Sequence, residues 1–294
     1  MSTTTKRPTA RPEAHGAAFM RLPERAWDCH VHVFDPCFPY REGRDYTPGT
    51  ADQAALRDAH SAWGAHHAVI VQASVYGTDN RCLLDALSHF EGTVRGVAVI
   101  DPMTTSDEDL ADLAEAGVRG LRVNLVAGGG ALSRNLLQAT ADRVRGTGLF
   151  LQIYAPDDQI IARQAEIERA GVAVVLDHFA GGCDPNTLAP LLKNAPVWVK
   201  LSADYRLSPA PEQARTIALR RIVVFHDLIP NRLIWGSDWP HTGGGKDRLS
   251  RPAAQIEPFR AVDSLAVPKL MDEAGLSITA CRDVLCENPK CLFD

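Results

Sequence analysis

The residues best suited to chemistry are His30 and His32, one residue apart, a third histidine at His178 and an aspartate at Asp238. Imidazole is mostly neutral near pH 7, so it can donate or accept a hydrogen bond, move a proton or ligate a metal. A carboxylate beside it can take a proton from water or complete a metal site. His30 and His32 close an apolar run that starts at Trp27, and residues two apart on a strand face the same side. Both imidazoles are therefore expected on one face, with Cys29 turned away. His178 follows the apolar run 173–176 and Asp177; alone it suits a ligand, an acid–base group or a satisfied structural polar residue equally. Asp238 lies in Gly236-Ser237-Asp238-Trp239-Pro240-His241, just after the apolar Leu233-Ile234-Trp235. A helix N-cap is the structural alternative there.

Elements that could bring these four together are visible as alternation. Short apolar runs at 27–34, 68–72, 94–100, 120–125, 149–154, 172–176, 197–201 and 232–235 read as eight strands. Several are continuously apolar, as expected for strands covered on both faces of a parallel sheet. Amphipathic stretches such as 107–116 and 157–170 lie between them. Glycines at Gly117, Gly148 and Gly171 stand where a helix stops and a strand begins. Eight such units predict an α/β fold, a single (β/α)₈ TIM barrel over 25–294, preceded by a mobile arm over 1–24 with no periodicity. Neither GxGxxG after the first strand nor GxxxxGK[ST] is present, which removes the usual support for nucleotide folds.

Composition narrows the partners. The formal charge of −5 gives no basic footprint for nucleic acid. No apolar run is long enough for a membrane span and no secretory leader is visible, so a cytoplasmic protein is expected. The seven cysteines lack CxxC spacing and read as reduced thiols. Trp63, Phe259, Leu292 and Phe293 could serve a core or the interface of a homo-oligomer.

In a barrel of this kind the site lies at the C-terminal strand ends. There the sequence also offers Gln72 and Ser74, Asp101, Arg122 and Asn124, Tyr154, and Lys200, Ser202 and Arg206. Arginine forks beside tyrosine and serine suit an anionic group.

Together these residues resemble the amidohydrolase superfamily in its amidohydrolase-2 branch, and most nearly its lactonases of the pyrone-dicarboxylate type. The resemblance runs from about Trp27 to Phe293. It includes Phe38-Pro39-Tyr40, Tyr46-Thr47-Pro48, Val71-Gln72-Ala73-Ser74, Gly117 to Asn124, Arg206-Leu207-Ser208 and Glu287-Asn288-Pro289. It implies a hydrolase that opens a small carboxylated lactone. Asp238 would be the general base, and His30, His32 and His178 would polarise the carbonyl. Tyr46, Ser74, Arg122, Tyr154 and Arg206 would contact the substrate. It also implies either no cofactor or one divalent ion, zinc by preference, on His30, His32, His178 and Asp238. A binuclear centre is not expected, because strand four ends in Arg122 and Asn124 and strand five in Tyr154. Two departures argue against the pyrone dicarboxylate itself: the stretch 126–130 holds no arginine, and Tyr76 stands where these lactonases have a histidine. A muconolactone-like or sugar-acid lactone is expected instead. The alternatives are a zinc-dependent decarboxylase or a lactone isomerase of the same superfamily, or a barrel that only binds a small acid.

Overall fold

The computed structural model describes residues 21–90, 92–126, 135–244 and 250–294. Eight strands form the barrel: β1 Trp27–Val31, β2 His67–Val71, β3 Val94–Ala98, β4 Val118–Asn124, β5 Phe150–Tyr154, β6 Val174–Leu176, β7 Val197–Leu201 and β8 Leu233–Trp235. They pair side by side in chain order, all parallel, with helices between them. The seam from β8 back to β1 closes through the segment just past β8. There Asp238 donates its N–H to the His30 carbonyl at 2.9 Å, and His32 donates to the Trp239 carbonyl at 2.8 Å. Gly236 permits this approach, since a Cβ there would lie 2.5 Å from Cβ of His30. The expected (β/α)₈ barrel is therefore the observed fold.

The strands are apolar on both faces because both are covered. Outward residues such as Val31, Ile70, Leu151 and Val199 pack with the helices, while Cys29, Val69, Val97, Val175 and Ile234 pack inside the barrel. At the N-terminal end Phe293 stacks on Trp27 at 5.4 Å and meets Phe150 edge-on at 5.5 Å. The C-terminal helix Asn288–Phe293 thus plugs that end. Trp63 and Phe293 are core residues, and Phe259 stacks on Phe34.

Three expectations need correction. β1 ends at Val31 rather than Phe34, because its last partners come from the segment after β8. Cys29 does not turn away from the barrel interior. Asp28 pairs with Ala68 and Val31 with Ile70, so three steps on β1 oppose two on β2. That extra residue is a bulge, which lets Cys29 and His30 both face inward. The stretch 157–170 is two helices, Asp157–Ala162 and Gln164–Arg169, rather than one. Residues 1–20 of the expected arm lie outside the described residues; of the other four, Arg21 and Glu24 are exposed. Leu22 is buried and donates its N–H to the Trp63 carbonyl at 3.0 Å. The helix over 107–116 forms as Asp107–Glu115, opened by a reciprocal Ser106–Asp109 capping box.

Candidate active site

At the C-terminal end of the barrel the four expected residues meet. Oδ1 of Asp238 lies 3.6 Å from Nε2 of His30, 3.9 Å from Nε2 of His32 and 3.9 Å from Nε2 of His178. Nε2 of His30 and of His32 are 3.2 Å apart. Each ring is braced from behind. Nδ1 of His32 sits 2.8 Å from the Val71 carbonyl, and Nδ1 of His178 sits 2.8 Å from the Ser202 hydroxyl. All four side chains are buried.

The backbone that places them is strained. His178, Phe179 and Ala180 take φ of 52°, 54° and 55° directly after β6, and Asp238 has φ of 63°. Non-glycine residues avoid this region at roughly 1–2 kcal/mol each. Such strain persists only where surrounding packing enforces it, and it clusters at functional sites. Asp28 supplies part of that enforcement after β8. Its Oδ1 accepts from the Ser237 N–H at 2.8 Å and the His30 N–H at 3.3 Å, while Nε2 of His60 lies 3.3 Å from Oδ2.

Oδ2 of Asp238 is held separately. The Tyr205 hydroxyl donates to it, and Nη2 of Arg206 reaches it at 3.0 Å. Burial, the largest single influence, opposes ionisation of this carboxyl, but Arg206 and then the three histidines together outweigh it and keep the group well below the usual carboxylate range. Burial drives His32 and His178 down to about 4, so both are neutral at pH 7. His30 is pushed down as well, by burial first and then by Lys200.

A second polar layer lies beneath, and the sequence reading did not assemble it. Lys200 is completely buried, 3.0 Å from Oδ1 of Asp177, 3.0 Å from Oε1 of Gln152 and 3.0 Å from Nδ1 of His30. Oδ2 of Asp177 accepts from Gln152 at 2.9 Å and from Arg122 at 3.2 Å. A signal was present: Gln152 and Lys200 are polar residues in otherwise apolar strands, at inward positions. Asp177 was masked by His178, the more conspicuous neighbour. Tyr205 carried no signal, because it lies in a short turn after β7.

The proposed substrate contacts are partly gathered. The Tyr154 ring meets His178 edge-on at 4.6 Å and faces the Arg122 guanidinium at 5.6 Å. Tyr154, His178, Arg206 and Leu207 help line a cavity of about 200 Å³, small even for a ligand pocket. Arg122 is committed to Asp177 through one nitrogen, but its buried Nε has no partner. Arg206 is engaged with Asp238. Ser74 opens a short turn after β2, and Tyr46 is buried in the main core. Tyr76 is structural: its hydroxyl accepts from the Asp35 N–H at 2.9 Å and donates to the Asp35 carbonyl at 3.0 Å. Of the stretch 126–130, residues 127–130 lie outside the described residues.

The donor spacing allows a single metal ion to be considered. Among the described residues two groups have ligand atoms within 4.8 Å of one another: His30, His32 and Asp238, and His30, Asp177 and His178. Both require a lone pair from His30. Its Nδ1 already lies against an ammonium, and its Nε2 faces another ring nitrogen at hydrogen-bond distance. An imidazole whose Nδ1 accepts carries its proton on Nε2, so His30 as arranged does not fit either group.

A parallel barrel with His-x-His at the end of its first strand, a histidine after its sixth and an aspartate after its eighth defines a hydrolase-type barrel site. The chain belongs to the amidohydrolase family, whose sequence profile matches residues 27–294. It is 34% identical over 240 residues to a 2-pyrone-4,6-dicarboxylate hydrolase of Comamonas testosteroni, covering 75% of this chain and 78% of that one. It is 28% identical over 303 residues to a 4-sulfomuconolactone hydrolase of Rhizobium radiobacter, covering 97% and 96%. The crystal structure of a probable 2-pyrone-4,6-dicarboxylic acid hydrolase from Acinetobacter baumannii, with citric acid bound, superposes with a TM-score of 0.74 at 25% identity, covering 92% and 99%. Among the described residues no helix is long and apolar enough to cross a membrane.

Proposed function

We propose that the protein is a lactonase that opens the ring of a small anionic lactone by attack of water. The observation that carries this reading is the division of labour at Asp238. One oxygen is fixed by Tyr205 and Arg206, and the other is turned toward three neutral imidazoles. Water held at Oδ1 gives its proton to Asp238 and attacks the lactone carbonyl. The negative charge that develops on the carbonyl oxygen is stabilised by hydrogen bonds from His30, His178 and Tyr154, while His32, whose proton faces the Val71 carbonyl, orients His30. Fixed donors aimed at such an oxygen are usually the largest contribution to acyl transfer. Protonated Asp238 then returns the proton to the leaving oxygen of the ring.

A base held well below the carboxylate range is weak, and substrate binding offers the remedy. A substrate carboxylate that draws Arg206 away from Asp238 strengthens the base as it binds. Arg122 supplies a second grip through its unpartnered Nε. By family resemblance Ser74 and Tyr46 match substrate-contacting positions. The relatives are named for a pyrone dicarboxylate and a sulfonated muconolactone, both anionic cyclic esters. The tied hydroxyl of Tyr76 and the arginine-free stretch 126–130 favour a different lactone, of muconolactone or sugar-acid type. The seven cysteines lack CxxC spacing, which suits a cytoplasmic enzyme of small-acid catabolism.

The test is turnover of a panel of anionic lactones, with and without chelator, by product analysis. Ring-opened acid is expected, at a rate that chelation leaves unchanged. Carbon dioxide would instead reveal a decarboxylase, a rearranged lactone an isomerase, and zinc-dependent ring opening a metal-assisted hydrolase.

A further inference from the structure

Lys200 is a buried ammonium with no evident role in the reaction just described. An ammonium has three N–H donors and no acceptor; Lys200 is at hydrogen-bond distance, 3.0 Å, from Oε1 of Gln152 and from Nδ1 of His30, and forms an ion pair with Oδ1 of Asp177 at 3.0 Å. The orientation of the Gln152 amide is not free. Its NH₂ end donates to Oδ2 of Asp177 at 2.9 Å, so its oxygen must face the lysine. The remaining donor then requires a lone pair on Nδ1 of His30.

A neutral imidazole carries one N–H, so that proton must sit on Nε2 of His30. An independent contact agrees. Nδ1 of His32 lies 2.8 Å from a carbonyl oxygen, which only accepts, so His32 carries its proton on Nδ1. Its Nε2 is therefore an acceptor, 3.2 Å from the Nε2–H of His30. Oδ1 of Asp177 also lies near Nδ1 of His30, at 3.4 Å, but the ammonium is closer to both, at 3.0 Å, so the donors run in one direction from Lys200 through His30 to His32.

We propose that Lys200 is a positioning residue for the reaction: by donating to Nδ1 it holds His30 as the Nε2–H tautomer, so that His30 offers a hydrogen-bond donor rather than a metal-binding lone pair beside Asp238. The role in the reaction rests on the hydrolase reading; the tautomer does not. Asp177, Gln152 and Arg122 form the frame that keeps the ammonium in place. A carbonyl oxygen entering beside Asp238 shares the N–H that His30 otherwise gives to Nε2 of His32, and the nitrogen that carries it is set before the substrate arrives. Both candidate metal groups contain His30, so the same proton bars both.

The experiment is a long-range ¹H–¹⁵N correlation spectrum of the full chain labelled at histidine, with His30 assigned by the signal lost in His30→Gln. The expected pattern for His30 is protonated Nε2 and unprotonated Nδ1, unchanged when zinc is added. An Nδ1–H pattern, or loss of the Nε2–H on adding zinc, overturns the proposal. In Lys200→Met the tautomers of His30 should mix, and kcat should fall about ten- to a hundredfold with KM nearly unchanged. Lys200→Gln, which keeps an N–H donor, should recover part of that loss. An unchanged His30 spectrum in Lys200→Met also overturns the proposal. Should that variant not fold, the spectrum of the parent still decides. Lactone turnover is measured separately, so an active lactonase with the other tautomer refutes only this inference.

Discussion

Asp177 and Asp238 are both completely enclosed, both held well below the usual carboxylate range against the opposing effect of burial, and both paired with an arginine. Their oxygens are nevertheless engaged differently. Asp177 has Lys200 on one oxygen and Arg122 with Gln152 on the other. Asp238 has its cation and tyrosine on Oδ2 only, and Oδ1 faces the imidazoles. A buried, charged, paired carboxylate is thus not by itself a catalytic one. The distinction lies in which oxygen remains available and what it is aimed at.

Replacing each aspartate by asparagine should separate the two most sharply. Asp238→Asn removes the proposed base while keeping its shape, and kcat should fall about 10³- to 10⁴-fold. Its fold should survive, because the side chain of Arg206 is 23% exposed and can turn to water. Near-normal turnover in Asp238→Asn would refute the assignment of the base. Asp177→Asn should do the reverse and act first on stability. The side chains of Lys200 and Arg122 are 0% and 4% exposed, so they would be left as buried charges without an anion. Breaking such a pair costs about 3–5 kcal/mol. Denaturant unfolding of both variants checks this. Equal stability losses would mean that the two carboxylates are not different in kind.

Acid should act on neither aspartate first, which sharpens the comparison further. Both carboxyls lie well below 3.8 and stay ionised above that pH. His32, His178 and His241 are instead driven by burial from 6.5 to about 4. The unfolded chain takes up protons as pH falls through 6.5, while the folded chain does not until about 4. Stability is therefore complete above pH 6.5 and declines between 6.5 and 4, on the order of 3 kcal/mol per histidine. Urea unfolding at pH 7 and pH 4.5 measures the decline, and, since His30 is pushed down as well, His241→Gln should remove about a quarter of it. A flat profile over that window would show that these imidazoles are not buried in neutral form.

The contrast also explains what could be read from the sequence. The barrel was legible because eight apolar runs alternate with amphipathic ones, and burial on both faces leaves no other use for a run such as 173–176. His30, His32, His178 and Asp238 were legible because polar residues at the tips of apolar strands have few structural reasons to be there. The bulge in β1 was not, since pairing register depends on the neighbouring strand, and it reversed the expected direction of Cys29. The lysine layer was only half visible. Each inward polar residue could be seen in its own strand, but which charge neutralises which is decided by distances across the barrel. The commitments of Arg122 and Arg206 to internal carboxylates were hidden for the same reason.

Tyr205 offers the finest test of the difference, because it touches Asp238 and has no counterpart on Asp177. Burial, and then the adjacent Asp238, raise its hydroxyl well above the ordinary tyrosine range, so it remains a donor at any working pH. Tyr205→Phe removes that single hydrogen bond and leaves the ring against Arg206 and Arg260. A hydrogen bond to a charged group contributes about 1.5–3 kcal/mol when buried, but Arg206 still holds the same oxygen. The expected effect is therefore modest, about tenfold in kcat with little change in stability. If Tyr205 restrains Asp238 chiefly to hold Oδ1 toward the imidazoles, kcat falls and KM stays. A rise in KM alone would assign the tyrosine to the substrate, and Oδ2 rather than Oδ1 would become the oxygen to which the water is bound.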